Sequence, residues 1–204
     1  MKKQVEKREI EFILHFTRLE NLKSILDNGL KTREYLETNN PEAIFNDDYR
    51  YDGFKNSICC SICHPNYKMF FPLRQADPKN EWVVIGIKKD IIWEKDCAFC
   101  IENAASNNVT SIPLEKRKGK KAFKKLFKEV KGKPTREKLG INKACPTNPQ
   151  AEILVFDNIS SQDIVGVAFQ KSDRVKEYEK SHKGFNFVYH KAFFIPRVDW
   201  RDWQ

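Results

Sequence analysis

Residues 12–30 read FILHFTRLENLKSILDNGL, and they predict a buried strand that leads directly into a helix. The first five residues are apolar apart from His15, as in a short buried strand. Thr17 and Glu20 have the spacing of a capping box, which marks the start of a helix. The apolar stripe of that helix is formed by Leu22, Ile25, Leu26 and Leu30. Gly29 tolerates the left-handed conformation in which helices end, so the chain opens with a strand–helix unit.

The rest of the chain predicts more strands, separated by irregular connections rather than by regularly spaced long helices. Apolar runs typical of strands lie at Ser57–Cys63, Trp82–Ile87, Ala151–Phe156, Ile164–Phe169 and within Phe185–Phe194. Other segments predict a long polar loop at 39–52, a short aromatic stretch at 67–73, a loop or single helical turn at 98–108 and a helix at 174–180. This mixture predicts one α+β domain over residues 1–204.

Length and composition agree with a folded domain of this kind. The 204 residues are 40% hydrophobic and 32% charged, which excludes a disordered or fibrous chain. No apolar run approaches the roughly 20 residues of a membrane span. No apolar segment follows the two lysines at the start, as a secretory signal would require. We therefore expect a cytoplasmic protein without a membrane partner, whose six cysteines are thiols unless they bind metal.

The net charge of +9 comes from one segment, residues 115–138, which we call the basic insert. It holds twelve Lys and Arg residues against three Glu residues, so the rest of the chain is neutral. Its apolar residues at 122, 123, 126, 127 and 130 follow a helical period, which puts most lysines on the opposite face. That face is either the solvated side of a surface helix or a surface that binds phosphates. The residues of a phosphate-binding surface would be Lys116, Arg117, Lys120, Lys121, Lys124 and Lys125.

Two Cys-x-x-Cys pairs, Cys60/Cys63 and Cys97/Cys100, have the ligand pattern of a four-thiolate zinc site. Their separation is longer than in a compact zinc ribbon, and residues three apart on a strand point to opposite faces. Buried thiols are therefore favoured over zinc, and we predict no metal. No GxGxxG or GxxxxGK[ST] motif occurs, so binding of a nucleotide by a Rossmann fold or a P-loop is disfavoured.

Three residues stand out as candidates for chemistry. His15 and Thr17 leave the same face of the first predicted strand. They either belong to the core or present an imidazole and a hydroxyl to a polar ligand. Glu152 opens the apolar strand predicted at 151–156, where it is either an exposed carboxylate at the rim of the sheet or part of a site built there.

Four strings of this sequence, taken in order, resemble the DarT family, the DNA-base ADP-ribosyltransferase toxins of bacterial toxin–antitoxin systems. They are HFTRLENLKSILDNGL at 15–30, SICHPNYKMF at 61–70, FCIENAASN at 99–107 and NPQAEILVF at 148–156. The resemblance runs from about residue 12 to residue 170. It implies the ADP-ribosyltransferase fold, in which a split, curved β core with flanking helices holds NAD+ in a cleft.

The resemblance also implies roles for individual residues. Glu152 matches the catalytic glutamate, and Arg50 is the favoured match to the catalytic arginine, with Arg74 as the competing candidate. The residues implied to contact NAD+ are His15, Thr17, Asn21, Tyr67 and Arg74, with Tyr67 on the nicotinamide side. A carboxylate beside the ribose suits this chemistry, because cleavage of the nicotinamide–ribose bond develops an oxocarbenium-like cation. The same carboxylate can take a proton from the incoming base.

The implied substrate is single-stranded DNA, because a base inside a duplex cannot present its reactive edge. The thymine-directed branch of the family has an Arg-Ser-Pro-Met-Leu-like string where this sequence has YKMFFPLR at 67–74, so guanine is the favoured target and thymine the alternative. The basic insert would bind the strand. The resemblance further implies a toxin that blocks replication in phage defence, countered by an antitoxin that removes the ADP-ribose or sequesters the toxin. Two alternatives stay open: a transferase acting on RNA or protein, and a non-enzymatic nucleic-acid-binding module.

Overall fold

The structure, a computed structural model, describes residues 1–40, 42–46 and 49–204. The strands are β1 (Phe12–Arg18), β2 (Ile58–Ile62), β3 (Trp82–Lys88), β4 (Cys97–Cys100), β5 (Glu152–Val155), β6 (Ile164–Phe169) and β7 (Phe187–Tyr189). The helices are α1 (Lys2–Lys7), α2 (Leu22–Asn28), α3 (Arg33–Asn39), α4 (Tyr67–Ala76), α5 (Ile91–Glu94), α6 (Asn107–Thr110), α7 (Gly119–Lys125) and α8 (Ser172–Ser181). Residues 41, 47 and 48, which belong to the loop predicted at 39–52, lie outside the described residues.

Across the described residues, the strands form one seven-stranded sheet in the order β4-β5-β2-β1-β3-β6-β7. Neighbouring strands are antiparallel except β6 and β7, which are parallel. Helices flank the sheet, so the α+β class predicted from the sequence is confirmed.

Strand β1 pairs very differently with its two neighbours. Against β3 it is paired along all of Phe12–Arg18, and we call this boundary the closed seam. Against β2 it is paired only at Ile13 and Leu14. The two strands separate from His15 onward, and we call this boundary the open seam. Strand β2 continues its pairing with β5 instead, over residues 58–60, so the β core is split into two halves joined at one end.

Buried apolar side chains cover both faces of the sheet. Ile13 packs into the larger cluster, which also takes the apolar sides of α2 and α7. Leu14 points to the other face, where Phe70 of α4 and Phe194 belong to a second cluster. This alternation follows from the two-residue period of a strand. Stacking of Phe16 on Phe70, with ring centres 4.4 Å apart, holds α4 against that second face.

The strand–helix unit at residues 12–30 is confirmed, but its boundary differs from the prediction. Strand β1 continues beyond Thr17, so the capping box predicted there is wrong. A 3-10 turn at Leu19–Asn21 leads into α2, and the N-cap side chain makes no capping hydrogen bond. Helix α2 ends at Gly29 as predicted, with a φ of 81°. A Cβ there would collide with the carbonyl oxygen of Ile159, so only glycine fits.

Two segments form elements that the sequence pattern does not predict. The aromatic stretch at 67–73 belongs to α4, a ten-residue helix that contains Pro72. Proline normally breaks a helix interior, which is why the pattern indicates no helix there. Residues 97–100 form strand β4 rather than part of a loop, and all four are buried. The other predicted strands and the helix at 174–180 are confirmed to within two residues at each end where their bounds were predicted.

The cysteines correct one expectation. Cys63 and Cys145 are joined by a disulfide between residues 82 positions apart, so the prediction of six thiols is wrong. Spacing could not indicate this pair, because it joins the end of β2 to a loop far along the chain. The other four cysteines are free. Among the described residues, no group of three or more potential ligands could hold a metal ion. None of the described helices is long and apolar enough to cross a membrane.

Residues 191–203 pack against the loop that leads into β5. Arg197 and Asp199 form a buried ion pair with 2.6 Å between Nη2 and Oδ2. Arg197 also donates hydrogen bonds to the carbonyl oxygens of Pro146 and Thr147, at 2.8 and 2.7 Å. The indole of Trp203 donates to Asp199 at 2.8 Å. These bonds satisfy both buried charges, and they fix the loop in front of β5.

Candidate active site

A cavity of about 190 Å³ lies at the open seam. Its walls come from β1, β2, the loop after α2, described residues between 40 and 52, and the first residue of β5. One water molecule needs roughly 10–15 Å³ in such a measure, so the cavity has room for an organic ligand. Of the predicted site residues, it brings together His15, Thr17, Asn21, Arg50 and Glu152.

Glu152 is the first residue of β5, as predicted, and it is buried rather than exposed at a rim. Its Oε1 accepts a hydrogen bond from the Asn66 side chain at 3.1 Å, and its Oε2 accepts one from the Ala104 N–H at 2.7 Å. Burial raises the pKa of Glu152 to about 7, against the lowering effect of these two hydrogen bonds. Asp52 raises this pKa further, and Arg50 lowers it. A carboxyl group with such a pKa can take up or release a proton near neutral pH, as general acid–base catalysis requires.

Asn66 is a site residue that the sequence pattern does not single out. It is fully buried and caps the start of α4, where its Oδ1 accepts from the N–H of Met69 at 3.3 Å. Its backbone N–H donates to the hydroxyl of Ser61 at 3.1 Å. These contacts fix the side-chain amide, whose Nδ2 group donates to Glu152. An Asn before a helix is a recognisable cap, but Pro72 hides the helix that would reveal it.

His15 lies where β1 and β2 separate. Its Nδ1 is 2.8 Å from the carbonyl oxygen of Cys59. Because a carbonyl oxygen only accepts, Nδ1 carries the proton and the neutral ring keeps Nε2 as an acceptor. Burial lowers the pKa of His15, and the Arg50 charge lowers it too, although the bond to Cys59 raises it. His15 therefore offers the cavity an uncharged imidazole at neutral pH.

Thr17 and Asn21 connect the strand–helix unit to the loop beside the cavity. The Nδ2 of Asn21 donates to the Thr17 hydroxyl at 3.0 Å and to the Ile44 carbonyl oxygen at 2.8 Å. The Oδ1 of Asn21 accepts from the N–H of Ile44 at 3.2 Å. One side chain thus pairs both backbone groups of Ile44, as a neighbouring strand would. Besides lining the cavity, Asn21 therefore holds this loop in place.

Asn46, in the same loop, lines the cavity and has a side-chain oxygen without a hydrogen-bond donor among the described residues. Its Nδ2 donates to the carbonyl oxygen of Phe16 at 3.3 Å. Its Oδ1 is buried and has no hydrogen-bond partner within the described part of the chain. A buried acceptor left unpaired costs about 1–3 kcal/mol. Because Asn46 lines the cavity, a ligand with an N–H or O–H group can satisfy it there.

Arg50 is held in the cavity wall by several contacts. Its guanidinium forms a two-pronged ion pair with Asp52, at 3.0 and 2.9 Å, and donates to the Ser57 hydroxyl at 2.8 Å. The side chains of Arg50 and Asp52 are only 11% and 5% exposed. Arg50 has a φ of 44°, in the left-handed region that arginine rarely adopts. Such strain persists where surrounding contacts over-determine the conformation, which is common in functional sites.

Lys31 and Arg33 add positive charge to the cavity wall. Arg33 pairs with Glu37 at 2.8 Å, and its guanidinium lies 4.5 Å from the centre of the Phe45 ring. The ammonium group of Lys31 lies 5.4 Å from the centre of the Tyr35 ring. Two cations beside a cavity favour an anionic ligand. No motif marks them in the sequence, because single basic residues beside a helix are common.

Two predicted NAD+ contacts, Tyr67 and Arg74, lie outside this cavity. Tyr67 begins α4, and its ring lies 6.3 Å from the His64 ring, centre to centre. Arg74 lies near the other end of α4 and donates to the carbonyl oxygen of Phe194 at 2.6 Å. Neither lines the cavity, although Met69 of the same helix does. Of the two candidate catalytic arginines, only Arg50 lies in the cavity wall.

The basic insert contains helix α7, which packs on the sheet through its apolar side. The predicted apolar stripe is buried at Ala122, Phe123, Leu126 and Phe127. The exposed candidates for phosphate contacts are Lys116, Lys120, Lys121, Lys124 and Lys125. Arg117 differs from them, because it is 5% exposed and lies 5.2 Å from the centre of the Phe54 ring. Arg117 is therefore not part of the exposed face of the insert, and its role in binding DNA stays a prediction.

The sequence matches a family model described as "ssDNA thymidine ADP-ribosyltransferase, DarT" over residues 14–200. The match covers most of the chain, including all the residues that line the cavity. It extends beyond residue 170, so it also takes in most of the segment that packs against the loop before β5. Comparison with curated proteins finds no match.

Three solved structures illustrate the fold. Thermosipho africanus DarTG in complex with ADP-ribose is 16% identical, with a TM-score of 0.63 over 91% of this chain and 52% of that chain. Thermus sp. 2.9 DarT in complex with NAD+ is 13% identical, with a TM-score of 0.56 over 91% and 98%. Thermus sp. 2.9 DarT in complex with ADP-ribosylated ssDNA is 12% identical, with a TM-score of 0.58 over 91% and 96%. These likenesses confirm the predicted fold, and the chain spans about half the length of the Thermosipho africanus protein.

Proposed function

This chain belongs to the DarT family of single-stranded DNA ADP-ribosyltransferases, and from that premise we propose that it transfers ADP-ribose from NAD+ to a base of single-stranded DNA. Guanine is the favoured base and thymine the alternative. NAD+ serves as co-substrate, and no metal is required. The proposed biological role is that of a toxin that acts in the cytoplasm, blocks replication and takes part in phage defence.

The observation that carries this proposal is a buried carboxylate in a cavity with two other polar groups suited to the reaction. Glu152 shares the cavity wall with neutral His15 and with Arg50. Burial raises the pKa of Glu152 to about 7, so the group can act as a base near neutral pH. Two hydrogen bonds, from Asn66 and Ala104, hold its oxygens in fixed positions. A fixed, water-shielded carboxylate is effective against a developing positive charge.

The residues around the cavity fit NAD+ as the ligand. The unpaired Oδ1 of Asn46 can accept a hydrogen bond from an amide or hydroxyl group, both of which NAD+ carries. Lys31 and Arg33 supply positive charge for its diphosphate. The Nε2 of His15 adds an uncharged acceptor. The cavity thus offers polar partners of the kinds that this dinucleotide needs.

The chain's own residues account for the transfer step. Bound NAD+ supplies the ADP-ribose group and a nicotinamide that leaves with the electron pair of its bond to ribose C1′. Ionised Glu152 opposes the positive charge that develops on the ribose. As a nitrogen of the DNA base bonds to C1′, Glu152 takes the proton which that nitrogen loses. Arg50 lowers the pKa of Glu152 and so favours the ionised form that the step requires.

The proposal is tested by incubating the protein with NAD+ and single-stranded DNA oligonucleotides. Each oligonucleotide contains only one kind of base. We expect an ADP-ribose adduct on the guanine oligonucleotide, read by mass spectrometry, with matching release of nicotinamide. An adduct on thymine alone would assign the other base. Adducts on RNA or on protein but on no DNA would overturn the proposed substrate. Strand binding with no nicotinamide release would leave a non-enzymatic binding module.

We place the DNA strand on the exposed face of the basic insert, within a single domain over residues 1–204. Replacement of Lys120, Lys121, Lys124 and Lys125 by Gln should raise the KM for DNA and leave the KM for NAD+ unchanged. The slope of log K against log salt should become shallower by about 0.7 for each phosphate that the variant no longer binds. A matched control replaces four exposed lysines elsewhere, Lys176, Lys180, Lys183 and Lys191. An equal effect in both variants would show that only net charge matters.

The proposed partner protein is an antitoxin that removes the ADP-ribose or sequesters the toxin. The likeness to Thermosipho africanus DarTG, of which this chain spans about half, supports a search for it. Incubation of modified DNA with a candidate antitoxin separates the two modes. Loss of the adduct indicates removal, whereas inhibition of the transfer with the adduct left intact indicates sequestration.

A further inference from the structure

Two exposed tyrosines flank Arg50 at the cavity. Tyr49 and Tyr51 are each 72% exposed. Their rings are stacked, with centres 5.4 Å apart and planes at 25°. It is the one stacked or tilted ring pair among the described residues in which both members are exposed. Large apolar surfaces left in water in this way usually mark an interaction site.

The side chains of this loop alternate between the interior and the solvent. Arg50 and Asp52 turn inward and line the cavity, with side chains 11% and 5% exposed. Tyr49 and Tyr51, on either side of Arg50, turn outward. The bonds from Arg50 to Asp52 and Ser57 anchor the loop from within. The aromatic pair is therefore held at a fixed place beside the cavity that contains Glu152.

The same loop touches the basic insert. The Arg117 guanidinium covers the ring of Phe54, 5.2 Å from its centre. Phe54 in turn packs edge-on against Phe156, with ring centres 5.3 Å apart. Lys118 covers that second ring at 5.4 Å. The contact between Arg117 and Phe54 joins the start of the insert to the loop that carries Tyr49 and Tyr51, and Lys116, next to Arg117 in the chain, is exposed. An aromatic pair beside positive charge is the combination that binds single-stranded nucleic acid, through stacking and phosphate contacts.

We propose that Tyr49 and Tyr51 form a stacking platform for a base that neighbours the target base in single-stranded DNA. The platform holds the strand while the target base enters the cavity, and the phosphates of the strand run towards the basic insert. This inference rests on the proposed function, because it names the part of the DNA that the same site binds. It also accounts for the buried Arg117, which joins the insert to the platform.

Binding of a fluorescently labelled single-stranded DNA oligonucleotide tests the platform without NAD+. Stacking is worth about 1–3 kcal/mol per base, so changing both tyrosines to Ala should raise Kd roughly 5- to 150-fold. Changing both to Phe keeps the rings and should hold Kd within about twofold of wild type. Tyr189→Ala serves as the matched control, because Tyr189 is 53% exposed on β7 at the far edge of the sheet. An abasic site beside the target should weaken wild-type binding but add little to the double Ala variant.

The outcomes separate this inference from the proposed function. Suppose that the wild-type protein is active. If the double Ala variant then has an unchanged Kd and KM for DNA, the platform is overturned and the proposed function still stands. Weakened binding in that variant, with no adduct from wild type, would support the platform and overturn the function. Failure of wild type to bind any single strand would overturn both. Tighter binding of RNA or of duplex DNA would overturn the assignment to single-stranded DNA.

Discussion

Along the closed seam, β1 is paired with β3 over Phe12–Arg18, whereas along the open seam it is paired with β2 only at Ile13 and Leu14. On β3 the side chains of Trp82–Ile85 and Ile87 are apolar and buried, and Val83, Ile85 and Ile87 are fully buried. The open seam instead carries polar groups, beginning with His15, whose ring bonds across the gap to a carbonyl oxygen of β2.

This difference teaches how one strand serves both stability and function. Where backbone groups pair fully, the side chains are free to fill the core. Where the strands separate, side chains must satisfy the backbone, and the space between them becomes a cavity. Substitutions at the closed seam should therefore change the stability of the fold. Substitutions at the open seam should change the rate of transfer and its pH dependence.

The largest effect is expected at the open seam from Glu152→Gln. The amide keeps the shape of the side chain but supplies neither negative charge nor a base, so kcat should fall about 10²- to 10⁴-fold. Single-turnover rates on a DNA oligonucleotide measure this, and circular dichroism checks the fold. A variant with more than a tenth of the wild-type rate would remove Glu152 from the mechanism.

The closed seam should show the opposite behaviour in Ile87→Ala. Ile87 is fully buried opposite Ile13, so truncation should lower the free energy of unfolding by about 2–5 kcal/mol. The transfer rate should stay near that of wild type at temperatures where the variant is folded. Urea unfolding measures the loss, with the exposed Val165→Ala on β6 as a control of small effect. A rate loss as large as that of Glu152→Gln would contradict the division between the seams.

The free energy of unfolding should depend on pH because of the buried carboxyl group of Glu152. The folded pKa of Glu152, about 7, lies above its ordinary value of 4.5. Between these values the folded state binds more protons than the unfolded state, so wild type loses stability as pH rises through this window. Relative to wild type, Glu152→Gln should be about 3 kcal/mol more stable at pH 8 than at pH 4. An equal stability difference at both pH values would show that Glu152 titrates normally.

The smallest effect is expected from Asn66→Ser, which keeps a helix cap but loses the bond to Glu152. That bond lowers the pKa of Glu152, so its loss should move the midpoint of the kcat/KM–pH profile upward by about one unit. Thr32→Ala is the control, because Thr32 caps α3 and should cost only stability. A shift to lower pH, or an equal shift in both variants, would count against a positioning role for Asn66.

The pattern of apolar and polar residues along the chain predicts those elements whose structure depends on neighbouring residues. The apolar run around His15 and the run behind Glu152 mark two strands, and Gly29 marks the end of α2. The family resemblance adds Arg50, which the structure places in the cavity wall. These positions can be predicted because each is specified by its immediate neighbours in the chain or by a recognisable string.

The remaining site residues depend on contacts between distant segments. Asp52 matters through its ion pair with Arg50 and its effect on the pKa of Glu152, a hundred positions away. Tyr67 and Arg74, which the resemblance implies as NAD+ contacts, lie outside the cavity on α4, a helix that Pro72 conceals in the sequence. Arg117 belongs to a dense basic run, and only the fold shows that an aromatic ring buries it.

The residues that form the two walls of the cavity lie far apart along the chain, so the ribosome synthesises them at different times. His15 and Glu152 are 137 positions apart, and Arg197, which fixes the loop before Glu152, follows 45 positions later. Ribosomes add about 5–20 residues per second, so roughly 7–27 s separate the synthesis of the two walls. The closed seam needs only the first 88 residues and can form on the nascent chain. The cavity needs Glu152 as well, so most of the chain is synthesised before this wall of the cavity exists.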